Sequence, residues 1–144
     1  MNKIMALDVG TKRIGIALSD YLHVIATPHT TIPRTPEQDA IESILKIAKE
    51  NNVKTIIVGL PINMDGTKGF QAQDCIDFSQ KICGFDIMYE DERLTSEEAE
   101  NRLRARKVDF RKNKGLVDME SAAVILEQYL GKWNYEQRRR IKHC

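Results

Sequence analysis

The run Thr55-Ile56-Ile57-Val58-Gly59-Leu60 is uninterrupted, apolar and rich in β-branched residues, and it constrains the fold more than any other stretch. A strand with apolar side chains on both faces must be covered on both sides, which marks it as a central parallel strand. A parallel strand needs a crossover. The helical stripe Ile41, Ile44, Leu45 and Ala48 supplies one, with Thr35 as its N-cap, Pro36 at its first position and Gln38 completing a capping box. Upstream, Ile4-Met5-Ala6-Leu7 reads as a second buried strand that delivers Asp8 to its end, and Gly10 permits a tight reversal. Residues 13–19 then alternate Ile14, Ile16 and Leu18 with Gly15, Ala17 and Ser19, a hairpin strand whose small face admits a closely packed helix. A short third strand is expected over residues 23–26, before Pro28. The sheet is therefore mixed, antiparallel first and parallel after.

Beyond the central strand, a loop from Pro61 to Gly69 lies where an open α/β sheet usually forms its ligand crevice, although its Asp65-Gly66 is equally suited to a plain turn. A helix is expected over 70–83, with Cys75, Ile76, Ser79 and Ile82 inward, then a strand over 85–89. Thr95 and Glu98 cap a helix running through Lys107, and the last main helix runs from Asp118 to Leu130. One domain over residues 1–131 and a basic tail over 132–144 account for all 144 residues. No stretch approaches the ~18 apolar residues of a membrane span, and the first strand is too short for a signal-peptide core, so a cytoplasmic protein with no membrane partner is expected. Three cysteines without a Cys-x-x-Cys pair give neither a disulfide framework nor a zinc site, and the three histidines lack ligand spacing.

The acids are more informative. Asp8, the cluster Glu90-Asp91-Glu92, and Asp118 each fall where an apolar run begins or ends. Asp118 starts a stripe continued by Ala122, Ile125 or Leu126, and Tyr129, which turns its carboxylate toward the sheet. Singly, each acid has an ordinary structural role open to it: Asp118 as a helix N-cap, Asp8 as a brace for the Gly10-Thr11 turn, Glu92 as an ion-pair partner. Jointly they suggest a divalent-metal site. The net charge of +1 conceals an uneven distribution, because residues 93–116 carry eight Lys and Arg against four Asp and Glu, and 132–144 carry five against one. Arg93, Arg104, Arg106, Lys112 and Lys114 thus form a patch suited to a phosphate backbone. A solvated helix face would look the same by charge alone.

Four segments in order carry a resemblance to a known family. Leu7-Asp8-Val9-Gly10-Thr11-Lys12-Arg13-Ile14-Gly15, Val58-Gly59-Leu60-Pro61 with Asn63 to Thr67, Asp91-Glu92-Arg93-Leu94-Thr95, and Asp118 before Ser121-Ala122-Ala123 resemble the bacterial YqgF family. These are Holliday-junction-resolvase-like proteins, also described as pre-16S rRNA nucleases, of the RNase H-like superfamily. The resemblance implies an RNase H-like α/β/α sandwich around a five-stranded mixed sheet. It further implies that Asp8, Glu92 and Asp118 are the catalytic, metal-binding acids. Strand alternation alone leaves Asp91 and Glu92 both open, and the family points to Glu92. Hard carboxylate oxygens suit Mg²⁺ or Mn²⁺, and two such ions would activate water for phosphodiester hydrolysis. Lys12, Arg13 and Arg93 would offset phosphate charge beside them. Precursor rRNA or branched DNA, and ribosomal particles, are the implied partners, with a monomer and a homodimer both open. The tail beyond Leu130 lies outside the motifs.

Two other readings compete. Asp8-Val9-Gly10-Thr11 also resembles the first phosphate-binding hairpin of actin-like and sugar-kinase ATPases, but those bind ATP between two domains and this chain has residues for about one. A module that grips structured RNA without cutting it would use the same basic segments.

Overall fold

The structure is a computed structural model that describes residues 1–62, 65, 69–92 and 95–142, with side chains through Asn134. Five strands form one sheet: β1 (Lys3–Val9), β2 (Arg13–Ser19), β3 (Ala26–Pro33), β4 (Val53–Leu60) and β5 (Asp86–Asp91). Their order is β3-β2-β1-β4-β5. The first three are antiparallel, and β4 runs parallel to both β1 and β5. Four helices complete the fold: α1 (Glu37–Glu50), α2 (Phe70–Ser79), α3 (Thr95–Ala105) and α4 (Lys114–Lys142). The expected mixed, helix-covered sheet is therefore present, with β1 at its centre and β4 an interior parallel strand reached through α1.

Alternation along each strand sorts side chains into two layers. Met5, Leu7 and Val9 of β1, with Ile14, Ile16 and Leu18 of β2, pack against Ile44 of α1 and Phe78 of α2. The opposite row, Ile4 and Ala6 of β1 with Ala17 and Ile57, packs against Ala122, Ala123, Ile125 and Leu126 of α4. Asp8 continues the row of Ile4 and Ala6, so it emerges on the α4 side. On that side small residues stand among Ile4 and Ile57. A Cβ placed on Gly15 would stand 2.0 Å from the Asp118 carbonyl oxygen, so the α4 backbone rests directly on β2. One on Gly59 would stand 2.8 Å from a Glu92 carboxylate oxygen.

Several boundaries differ from the sequence expectation. The third strand runs from Ala26 to Pro33 instead of over 23–26, because an edge strand tolerates Pro28 and Pro33. Leu22, Val24 and Ile25 stay exposed in the turn before it. Pro36, with extended backbone, occupies the cap position of α1, and no side chain caps that helix, so the Thr35 capping box does not form. Helix α2 ends at Ser79, which leaves Cys83 off the helix and exposed, and Phe78 is its largest buried side chain. Helix α4 begins four residues before Asp118, where the Asn113 carboxamide oxygen accepts from the Gly115 N–H at 3.1 Å. Asp118 is therefore inside the helix and not its cap, and the helical backbone continues through residues expected as a tail. Among the described residues no helix is long and apolar enough to cross a membrane.

Candidate active site

A cleft of about 530 Å³ opens at the carboxyl ends of β1 and β4. Asp8 and Glu92 stand in it, with Asp118, Lys12, Arg13 and Asp74 around them. Each is placed by its element. Asp8 is the penultimate residue of β1 and lies opposite Gly15 in the β1–β2 ladder. The hairpin that follows is closed by the Gly10 N–H donating to the Arg13 carbonyl at 2.8 Å, and a Cβ on Gly10 would strike that same carbonyl. Glu92 immediately follows β5. Its N–H donates to the Leu60 carbonyl at 3.1 Å, and its own carbonyl accepts from the Thr95 hydroxyl at 2.8 Å. The end of β4 and the start of α3 thus fix its backbone, and Gly59 leaves room for its carboxylate.

The Asp8 and Glu92 carboxyls lie within hydrogen-bonding reach of each other. Burial pushes Glu92 up to about 9, helped by the Asp8 charge and by the hydrogen bond to it. Burial also pushes Asp8 up, to about 6, against the hydrogen bond from Glu92, and the nearby Asp118 charge adds to the rise. Near neutral pH the pair therefore carries one proton, held mainly by Glu92. A shared proton between two desolvated carboxylates marks a place where a cation relieves repulsion.

The third acid is arranged differently. Arg13 Nε donates to Asp118 Oδ2 at 2.6 Å. Among the described residues no group of three His, Cys, Asp or Glu is gathered closely enough to hold a metal ion. The structure thus brings Asp8 and Glu92 together, sets Asp118 within electrostatic reach of Asp8, and gives its carboxylate to Arg13. Asp91 lies on the exposed side of β5, and its charge adds to the rise at Glu92. Ser121, one turn beyond Asp118, is buried, and its hydroxyl has no hydrogen-bond partner among the described residues.

Sequence reasoning missed Arg34. Its guanidinium donates to both Asp74 oxygens at 3.1 and 3.0 Å and to the Gly10 carbonyl at 2.9 Å, and it lies 4.7 Å from the centre of the Phe78 ring. It clamps the β1–β2 hairpin, and with it Asp8, to α2. No periodic pattern marks Arg34 in the sequence, since its partners are separated from it by 24 and 40 residues. Beneath the site, the Cys75 thiol donates to the Val9 carbonyl at 3.4 Å. Burial, and then the charges of Glu92, Asp74 and Asp8, push it up to about 12, so it stays a neutral thiol and not a nucleophile.

The expected phosphate-binding residues divide. Lys12 and Arg13 line the cleft. Arg104 is paired with Glu100 at 3.2 Å and Arg106 with Glu120 at 2.9 Å, so both already have carboxylate partners. Lys112 and Lys114 line a neighbouring groove. Arg93 lies outside the described residues, as does the 63–68 loop apart from Asp65.

Residues 2–132 match the family profile described as RuvX, Holliday junction resolvase. A protein of Picosynechococcus sp. is 44% identical over 129 residues, covering 88% of this chain and 90% of its own length, and bears the name "Putative pre-16S rRNA nuclease". One of Endomicrobium trichonymphae with the same name is 40% identical over 134 residues, covering 90% of this chain and 96% of its own. Among solved structures, the fowlpox virus resolvase bound to Holliday junction DNA matches with a TM-score of 0.58 at 12% identity, over 91% of this chain and 98% of that one. The T. thermophilus RuvC complex with a Holliday junction matches at 0.55 and 10% identity, over 90% and 94%. At those identities the likeness concerns the fold alone, an RNase H-like sandwich.

Proposed function

Because this chain belongs to the RuvX family of Holliday junction resolvases, we propose that it is a metal-dependent nuclease acting on structured nucleic acid, with the 5′ end of precursor 16S rRNA as its substrate. The observation that carries the chemistry is the meeting of the Asp8 and Glu92 carboxyls in a cleft that Lys12 and Arg13 also line. The RNA assignment rests on the names of curated relatives at 40–44% identity. A cytoplasmic site of action goes with that reading.

The donor set fits a hard divalent cation, Mg²⁺ or Mn²⁺: carboxylate oxygens only, already crowded enough to retain a proton. Asp8 and Glu92 would hold it, and Asp118 is the third candidate ligand. When bound, such an ion lowers the pKa of an attached water and offsets charge on the phosphate under attack. The residues of the chain do the rest. Asp8 and Glu92 would both have to be ionised to hold such an ion. Arg13 and Lys12 draw the scissile phosphate to the cleft, and Arg13 can exchange the Asp118 carboxylate for a phosphate oxygen of similar charge and geometry. Water adds to phosphorus, the bond to the 3′ oxygen breaks, and that oxygen takes up a proton. Arg34 and Thr95 keep the two acids in register throughout.

The test compares wild type with Asp8→Asn on matched precursor rRNA and four-way DNA junctions, each with Mg²⁺ and with Mn²⁺. Cleavage of the RNA at one position, lost in Asp8→Asn, is the expected result. Junction cleavage with intact RNA would move the substrate to DNA, and no metal-dependent cleavage of either would remove the enzyme reading.

A further inference from the structure

Resting on the nuclease reading above, we propose that the enzyme holds a single-stranded segment of its substrate in a track that leaves the carboxylate cleft at Arg13 and follows β3 and the α3–α4 loop to Phe110. Arg13 lines the cleft and also a second cavity of about 490 Å³, floored by Thr31, Ile32 and Pro33 and walled by Lys112 and Lys114. Arg111 lines that cavity and a third of about 450 Å³, which ends on Arg104, Lys107 and Phe110. Shared walls make the three concavities one path away from the reacting acids.

The chemistry along the path alternates. Its cations match a phosphate backbone: among the described residues Lys107, Lys112 and Lys114 have no ion-pair partner, and the one acid on the path, Asp109, is neutralised by Arg111 at 3.2 Å. Between the cations lie apolar surfaces, exposed Pro33 and half-buried Phe110, with the Arg104 guanidinium 5.3 Å from the Phe110 ring centre. A duplex turns its phosphates outward and keeps its bases stacked inside, so it would use the cations and leave the apolar floor in water. An unpaired strand offers both groups at once, its phosphates to the lysines and its base faces to Phe110 and Pro33. The occupant is therefore a single-stranded flank continuous with the strand that is cut. The preferred substrate is a junction between paired and unpaired nucleic acid.

The experiment measures affinity of the Asp8→Asn protein for a blunt RNA duplex and for the same duplex carrying a ten-nucleotide single-stranded extension of either polarity. Cleavage of the same probes by wild type is read in parallel. Stacking of even one base predicts about tenfold tighter binding of the extended probe in one polarity. Phe110→Leu, and separately Lys112→Gln with Lys114→Gln, should reduce that preference to within about twofold while circular dichroism shows a folded protein. Equal affinity for blunt and extended probes, or a preference that survives both sets of changes, overturns the track. Cleavage by wild type with no extension preference removes the track and leaves the nuclease reading. An extension preference with no cleavage of any probe removes the nuclease reading and leaves the track as a single-strand site.

Discussion

On the α1 and α2 side of the sheet, Met5, Leu7, Ile14, Ile16, Ile56 and Val58 meet Ile44 and Phe78, and all of these side chains are fully buried. On the α4 side the surface mixes Ile4 and Ile57 with Ala6, Gly15, Ala17 and Gly59, and it meets Ala122, Ala123, Ile125 and Leu126. The first side gains stability from side-chain volume. The second gives volume up so that a helix backbone can lie against the strands and hold Asp118 beside Asp8. A protein could be stabilised equally by either arrangement, but only the second delivers carboxylates from β1, β5 and α4 to one cleft. Changes on the two sides should therefore separate stability from activity.

The sharpest separation is expected from Asp8→Asn. Asp8 is on the α4 side, and in the absence of a cation its charge repels Glu92 and Asp118. Its loss should lower single-turnover cleavage by about 10³-fold, some 4 kcal/mol of barrier, while the metal-free melting temperature holds or rises. A melting temperature well below wild type with normal cleavage would mean that Asp8 braces the hairpin and nothing more.

Next in size is a matched pair of changes. Gly15→Ala puts a methyl group 2.0 Å from the Asp118 carbonyl and must push α4 outward, which should cost about 3 kcal/mol and abolish cleavage by the fraction that remains folded. Ile44→Ala empties space on the other side and should cost about 2–5 kcal/mol, yet its folded fraction should cleave at the wild-type rate. Urea denaturation beside cleavage normalised to folded protein reads both. Equal catalytic loss in the two variants would erase the distinction between the sides.

Arg34 crosses the divide, since it is anchored among the α2 residues yet holds the hairpin that carries Asp8. Arg34→Lys keeps the charge and loses the two-pronged grip on Asp74. A drop of about 10- to 100-fold in kcat with KM little changed is expected, by analogy with residues that orient metal-binding side chains. An unchanged kcat would confine Arg34 to packing.

How far each side is legible in the sequence follows from the same contrast. The strands β1, β2 and β4 declare themselves, because volume and alternation are local properties, and the Gly15 and Ala17 face already implies a close helix. Asp8 is legible as an acid at a strand end. The pairing of Asp8 with Glu92 is not, because it depends on β4 and β5 lying parallel, which sets Gly59 beside Glu90 and brings Glu92 to the same edge. Helix α4 begins earlier than the sequence suggests: Lys114 and Gly115 read as loop, although Asn113 is a sound N-cap. Pro28 and Pro33 similarly hide β3, since prolines mark a strand as broken unless it is an edge. The division of the basic residues, with Arg104 and Arg106 taken up by Glu100 and Glu120, is a matter of side-chain geometry that no charge count contains.

Between pH 5 and 9 a dependence of stability on pH should come from the Asp8–Glu92 pair on the α4 side. Asp8 and Glu92 are raised in the folded protein, to about 6 and about 9, above the ordinary carboxylate range near 4. Between those limits the folded state binds more protons than the unfolded state, so stability falls as pH rises. The loss begins near pH 4, where unfolded carboxyls ionise, and ends near 9, where the folded pair is fully ionised. A divalent cation takes the place of the shared proton, so saturating Mg²⁺ or Mn²⁺ should flatten the decline and its binding should release protons. Titration calorimetry at pH 7 in two buffers of different ionisation enthalpy reads the release, and thermal melts over pH 5 to 9 read the slope. In Asp8→Asn, which removes the repulsion within the pair, both signals should shrink. A slope that persists in that variant, or that metal leaves untouched, would place the titrating groups elsewhere in the molecule and detach the carboxylate pair from cation binding.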